Sequence, residues 1–304
     1  MPLVDPGRRA HYADFYDGPP GDAPLALVHG NCQAGSLRVL LDGSPTFPYR
    51  AVRMPPVHEL TADDLPALYA LLPRTALLVS QPVRDGYRDL PLGTAELAAG
   101  LPRGAQVLRW PVIRYAGLHP YTVIVRHPSD MSAVPPGVPY HDLRTLALAA
   151  GVGRAVPPGP AALRDAAAMS IDELGRRERT TTDVGVSDVL AGLGVEAAHT
   201  LNHPGNPVLV TLARRVQGAA GVPVDAADPG RVLLGGVRAP LEAPVLDALG
   251  LAASPRPHWL VDGHPVDDAD VRTAQLAWYA THAAWVEAGL RRHAGRMALL
   301  GFEV

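Results

Sequence analysis

Apolar and polar positions alternate between two periods along the first third of the chain. Residues 25–29 (LALVH) form a short unbroken apolar run that ends at Gly30 and predicts a buried strand. From Gln33 the apolar residues recur as Leu37, Leu40 and Leu41, the single face of a helix. Residues 49–54 predict a second strand. Thr61 then predicts a helix cap, with Asp63 and Asp64 in the first turn and Leu65, Leu68, Leu71 and Leu72 as the apolar stripe. Residues 76–80 (ALLVS) read as strand, 94–99 as helix and 106–110 as strand, and 121–126 (YTVIVR) could add a further one. This order predicts an α/β fold: a parallel sheet with crossover helices in the N-terminal part.

After residue 127 the pattern changes. Residues 128–139 and 152–160 are rich in Pro and Gly and read as loops. Residues 141–150, 161–178 and 186–194 predict helices, with Ser170 and Glu173 spaced as a capping box. Asn206-Pro207 predicts a further helix start, with Leu209, Leu212, Ala213 and Val216 on its apolar face. One long C-terminal helix is expected from Asp267, Asp268 and Asp270 at its start to Arg291, Arg292 and Arg296 near its end, with Val271, Trp278, His282 and Trp285 on one face. The chain therefore reads as an α/β part over 1–127 and a mainly helical part over 128–304, packed as one unit.

Composition narrows the function classes. Hydrophobic residues make up 47% of the 304 and charged ones 19%, which suits a chain with a sizeable core. All 27 basic residues are Arg, so a lysine Schiff base or lysine phosphate clamp is excluded, and phosphate contacts fall to Arg, His, hydroxyls or backbone N–H groups. A net charge of −3 without a long basic run argues against nucleic acid as the main partner. No signal-peptide pattern and no apolar run long enough to span a bilayer occur, so a cytoplasmic enzyme is expected. The single cysteine rules out an internal disulfide and a Cys-rich zinc site, and no metal site is expected.

That cysteine lies in His29-Gly30-Asn31-Cys32-Gln33-Ala34, between a strand end and a helix start. Gly30-x-Cys32-x-Ala34 matches the small-x-nucleophile-x-small pattern of a nucleophile elbow. A helix N-terminus offers Cys32 free N–H groups and the positive end of the dipole, both favouring thiolate. The alternative is a small buried hydrophobe. His203, in Asn202-His203-Pro204-Gly205-Asn206-Pro207, sits just before a helix and is a candidate base, or else a loop residue. The segment Ser80-Gln81-Pro82-Val83-Arg84-Asp85-Gly86-Tyr87-Arg88 follows a strand, where parallel sheets bind ligands; Arg84 and Arg88 could clamp phosphates. The turn Tyr115-Ala116-Gly117-Leu118-His119-Pro120 could wall the same cleft.

Taken together, HGNCQ at 29–33, SQPVRDGYR at 80–88, GLHP at 117–120, RRERTTTDVGVSDVL at 176–190 and NHPGN at 202–206 resemble the WcbI family of capsular-polysaccharide biosynthesis proteins. The resemblance spans residues 25–217. It implies an acetyltransferase that binds coenzyme A, with acetyl-CoA as acyl donor and a sugar-like hydroxyl as acceptor. It places Cys32 close to the coenzyme A thiol, with His203 as its catalytic partner. It assigns cofactor contacts to His29, Gly30, Asn31 and Gln33, to Ser80, Gln81, Arg84, Tyr87 and Arg88, and to His119, Asn202 and Asn206. Competing readings are a hydrolase, an SGNH-like esterase or thioesterase using Cys32, and a non-catalytic nucleotide- or sugar-binding protein. The first would release free acid, and the second would be indifferent to loss of Cys32 or His203.

Overall fold

A computed structural model describes residues 5–126, 133–154 and 156–303. His127, the first residues of the 128–139 loop and one residue of the 152–160 loop lie outside the described residues. The chain forms two compact units. The first comprises residues 1–113, 174–189 and 205–234, and the second residues 114–173, 190–204 and 235–304. The change of composition at residue 127 therefore does not mark the division. The chain passes between the units several times, because segments distant in sequence complete each core.

The first unit is built on a four-stranded parallel sheet. In chain order its elements are α1 (Pro6–His11), α2 (Ala13–Tyr16), β1 (Leu25–His29), α3 (Cys32–Asp42), β2 (Arg50–Val52), α4 (Leu65–Leu71), β3 (Thr75–Ser80), α5 (Thr94–Ala99) and β4 (Gln106–Arg109). The sheet order is β2-β1-β3-β4, and every pair is parallel. β1 is central, and all five of its residues are buried, as the unbroken apolar run requires. From β1 the chain crosses to β2 on one side and β3 on the other. That reversal opens a crevice at the carboxyl ends of β1 and β3, where open α/β sheets bind ligands. The core on one side gathers Phe15, Leu25, Leu27, Val52, Leu68, Leu78 and Leu97. Helix Asn206–Ala219 packs against α3, burying Leu209, Leu212, Ala213 and Val216.

The second unit holds small antiparallel sheets and helices. Val237–Arg238, Trp259–Val261 and His264–Val266 form one sheet with Trp259–Val261 central. Its main core surrounds Trp285 and Met297 with Val123, Leu143 and Leu146. Gly289 lets helix Ala283–Leu299 approach helix Leu143–Ala149, since a Cβ there would lie 2.9 Å from Leu146 Cδ1.

Several expectations are corrected here. The strand expected over 121–126 contracts to Thr122–Val123, which pairs antiparallel with His141–Asp142 and does not join the parallel sheet. Residues 186–194 form two short 3-10 turns, Ser187–Val189 and Ala191–Glu196. Ser170 is not a helix cap: it lies inside helix Pro160–Thr181, where its Oγ accepts from the Ala116 N–H at 2.9 Å. The C-terminal helix is two, Asp268–Tyr279 and Ala283–Leu299. Trp278 stacks on His282 at 4.3 Å and meets Trp285 at 4.0 Å across the break, so the aromatic face survives the interruption. Among the described residues, no helix is long and apolar enough to cross a membrane.

Candidate active site

Only Gly30 and Asn31 separate the end of β1 from the start of α3. Glycine is required at 30 by close approach: a Cβ there would lie 2.6–2.9 Å from the Gln81 side chain. Gln81 uses that space. Its Oε1 accepts from the Asn31 N–H at 2.9 Å, and its Nε2 donates to Asn31 Oδ1 and Gln33 Oε1, each at 3.3 Å. Asn31 caps α3 by accepting from the Gln33 N–H at 3.0 Å. Gln33 is buried, donates to the Ile113 carbonyl at 2.7 Å and accepts from the Ile113 N–H at 3.0 Å. The side-chain amides of Asn31, Gln33 and Gln81 thus largely satisfy one another and the backbone, and they make the turn rigid.

His29 and Ser80 belong to the same framework. The buried His29 ring donates its Nε2–H to the Leu92 carbonyl at 2.9 Å, and burial lowers its pKa to about 4, so it is neutral at pH 7. Ser80 Oγ donates to the Gln81 carbonyl at 2.7 Å and lies 3.0 Å from Thr94 Oγ1, tying β3 to α5. Both are buried in the first unit's interior. They support the turn from beneath.

Cys32 is the first residue of α3 and is half-buried. Burial raises its pKa above the ordinary thiol value; the N–H groups of Cys32 and Gln33 act against this, and Glu59 acts with it. The expectation of a stabilised thiolate is therefore corrected. Desolvation outweighs the helix N-terminus, and the resting group is a neutral thiol.

Cys32 lines a cleft of about 360 Å³ formed entirely within the first unit. Its walls are the start of α3, the end of β2 and the residues just after it, Tyr12 of the N-terminal helices, and Leu233 and Leu234. Three arginines line it: Arg38, Arg53 and Arg231. Burial lowers the pKa of Arg38, and Arg53 lowers it further by repulsion, against the attraction of Asp42 at 3.2 Å. Two cations that repel one another in a cleft favour an anion between them, and guanidinium groups match phosphate oxygens in pairs. Arg53 could have been found in sequence, because it follows the carboxyl end of a strand. Arg231 lies in a Pro/Gly-rich stretch without a local signal.

The segment after β3 behaves differently. Arg84 and Arg88 are exposed, and Arg88 donates to the His58 carbonyl from a backbone with φ of +56°. Tyr87 packs on the core of the first unit. None of the three lines the Cys32 cleft.

The remaining candidates divide between the units. Asn206 begins its helix in the first unit, with Gly205 as the cap. Its side chain is bonded to the loop 228–233: Nδ2 donates to Asp228 Oδ2 and the Arg231 carbonyl at 3.0 and 2.8 Å, and Oδ1 accepts from the Leu233 N–H at 2.9 Å. In the second unit, His119 is buried, donates Nδ1–H to the Pro240 carbonyl at 3.0 Å and has its pKa lowered to about 4 by burial. It secures a turn. Asn202 Oδ1 accepts from the Tyr140 hydroxyl at 2.8 Å, and the His203 ring meets the Tyr140 ring edge-on at 6.3 Å. His203 sits in the two-residue strand His203–Pro204. Among the described residues, no group of three His, Cys, Asp or Glu is placed to hold a metal ion.

Comparison with known proteins agrees with this architecture. A solved structure of WcbI, described as a novel polysaccharide biosynthesis enzyme in its native form without a disulfide bond between CoA and one of its cysteines, superposes with a TM-score of 0.75. It is 21% identical, and the match covers 91% of this chain and 96% of that one. No curated protein matches. The family described as polysaccharide biosynthesis enzyme WcbI matches residues 25–225. A parallel-sheet fold, the HGNCQ turn at its switch point and a family match over most of the chain converge on one assignment: this chain belongs to the WcbI family of polysaccharide biosynthesis enzymes.

Proposed function

We propose that the protein transfers an acyl group, acetyl in the simplest case, from its coenzyme A thioester to a hydroxyl of a sugar-like acceptor. The observation that carries this reading is the cleft lined both by one cysteine at a helix N-terminus and by three arginines. Coenzyme A combines a thiol at one end with phosphates at the other, and the cleft offers partners for both. Arg38, Arg53 and Arg231 hold phosphate oxygens, and Cys32 faces the sulfur end. The description of the related WcbI structure, native protein without a disulfide bond between CoA and one of its cysteines, names the same pair of groups and supports this reading.

The raised pKa of Cys32 favours direct transfer over a covalent acyl-enzyme. In the direct reaction a general base takes the proton from the acceptor hydroxyl, whose oxygen attacks the thioester carbonyl, and His203 is the residue the resemblance implies for that role. The carbon–sulfur bond breaks, and coenzyme A leaves as its thiolate and is then protonated. The positive end of the α3 dipole stabilises the oxyanion that forms in between. The role of His203 rests on the NHP segment of the resemblance.

Calorimetric titration with coenzyme A and acetyl-CoA, on wild type and Cys32→Ala, tests the reading. Tight binding by the wild type is expected, and its absence would remove the cofactor and the activity together. Intact-mass measurement after mixing with acetyl-CoA separates the two routes. An acetyl adduct on Cys32 that is passed to an acceptor would replace direct transfer by the covalent path. Turnover that persists in Cys32→Ala but is lost in His203→Gln agrees with direct transfer.

A further inference from the structure

Residues 226–234 lie beyond the segment matched by the family and carry Arg231, Leu233 and Leu234 to the cleft. This loop has little structure of its own. Its upstream end is anchored where Gln217 Oε1 accepts from the Ala226 N–H at 2.9 Å and Arg214 Nε donates to the Ala226 carbonyl at 2.8 Å. Further along, among the described residues, the bonds that hold 228–233 are the three made by Asn206 and one within the loop, from the Gly230 N–H to Asp228 Oδ1 at 2.8 Å. Leu234 follows with φ of +53°, a conformation that a branched side chain adopts only when its surroundings impose it. One side-chain amide therefore grips residues 228, 231 and 233 together, by a carboxylate, a carbonyl and an N–H. The arginine of the middle residue is one of the cations lining the cleft.

We infer that Asn206 is a positioning residue for the phosphate end of the acyl donor, acting through Arg231. This rests on the proposed function, which supplies the phosphate-bearing ligand. Asn206 does not touch that ligand. It holds the loop backbone so that the Arg231 guanidinium, otherwise on a flexible stem, meets the phosphate without the entropy cost of ordering the loop at each binding event. The Asn206–Asp228 bond also makes a swap possible. In Asn206→Asp the donor to Asp228 and to the Arg231 carbonyl is lost and two carboxylates face one another. In Asn206→Asp combined with Asp228→Asn the bond between the two side chains is restored with its donor on the other side and the acceptor for the Leu233 N–H is kept, while the donor to the Arg231 carbonyl is not.

The test is calorimetric titration with coenzyme A and with adenosine 3′,5′-bisphosphate, which carries phosphates without the thiol arm, on full-length variants whose melting curves are recorded alongside. Asn206→Ala and Arg231→Ala are each expected to weaken both ligands about tenfold, the size of one lost charge-assisted contact. The double variant should be no weaker than either single one, because both remove the same contact. Asn206→Asp should also bind weakly, and the swap should recover part of the affinity and stay below the wild type, because the bond to the Arg231 carbonyl remains lost. Asn206→Ala binding both ligands like the wild type would overturn the inference, as would full additivity with Arg231→Ala or a swap that binds like the wild type without the bond to the Arg231 carbonyl. Wild-type protein that binds neither ligand would instead overturn the proposed function, and this inference with it.

Discussion

Gly30 shows how a single hydrogen atom in place of a side chain shapes the site. Its missing Cβ leaves the volume that the Gln81 amide occupies, and that amide joins the strand end to the helix start through Asn31 and Gln33. Gly30→Ala is expected to push Gln81 out of place and to destabilise the protein by about 1–3 kcal/mol, the usual cost of overpacking a dense interior. Denaturant unfolding measures this, and the titration with coenzyme A should weaken in step. If Gly30→Ala unfolds at the wild-type midpoint, close approach is not what demands glycine there. Cys32 carries a different lesson at the same scale. The helix N-terminus favours its thiolate, yet burial wins, and the sulfur rests protonated.

Among the elements, helix Pro160–Thr181 illustrates how tertiary contacts reassign a local signal. Ser170 and Glu173 have capping-box spacing, but the helix runs on through both. The hydroxyl instead satisfies the buried N–H of Ala116. Ser170→Ala should leave that N–H without a partner and cost about 1–3 kcal/mol, read as a lower midpoint of thermal or denaturant unfolding. An unchanged midpoint would show that the bond contributes nothing. The central strands β1 and β3 were legible because both their faces are buried, which leaves nearly unbroken apolar runs in sequence. The short antiparallel pairs, such as Thr122–Val123 with His141–Asp142, were not, since two residues are too few to show a period. The break at 280–282 was hidden for the opposite reason: the aromatic residues keep helical spacing across it.

For the molecule as a whole, buried histidines set the response to acid. His29 in one unit and His119, His141 and His293 in the other all have pKa values lowered by burial to about 4. The ordinary value is about 6.5, so as pH falls the unfolded chain takes up protons before the folded one does. Their contribution is fully present above about pH 6.5 and is lost as pH falls towards 4. It is on the order of 3 kcal/mol for each of the fully buried His29 and His119. Melting temperatures should drop steadily between pH 7 and 4.5, and a flat profile over that range would contradict the buried neutral state.

The sequence by itself determined the parallel α/β framework, the position of Cys32 at a strand-to-helix turn and membership of the WcbI family, because these depend on runs and motifs contiguous in the chain. The tertiary structure alone decided which residues surround that cysteine. Arg38, Arg53 and Arg231 come from a helix, a strand end and a late loop, and no spacing in one dimension brings them together. It also decided which atoms of the protein's own backbone and side chains His29, Gln33, Ser80, Gln81 and Asn206 bond to. A polar residue near a strand end can serve a ligand or the framework, and only the partner that reaches its hydrogen-bonding atoms distinguishes the two.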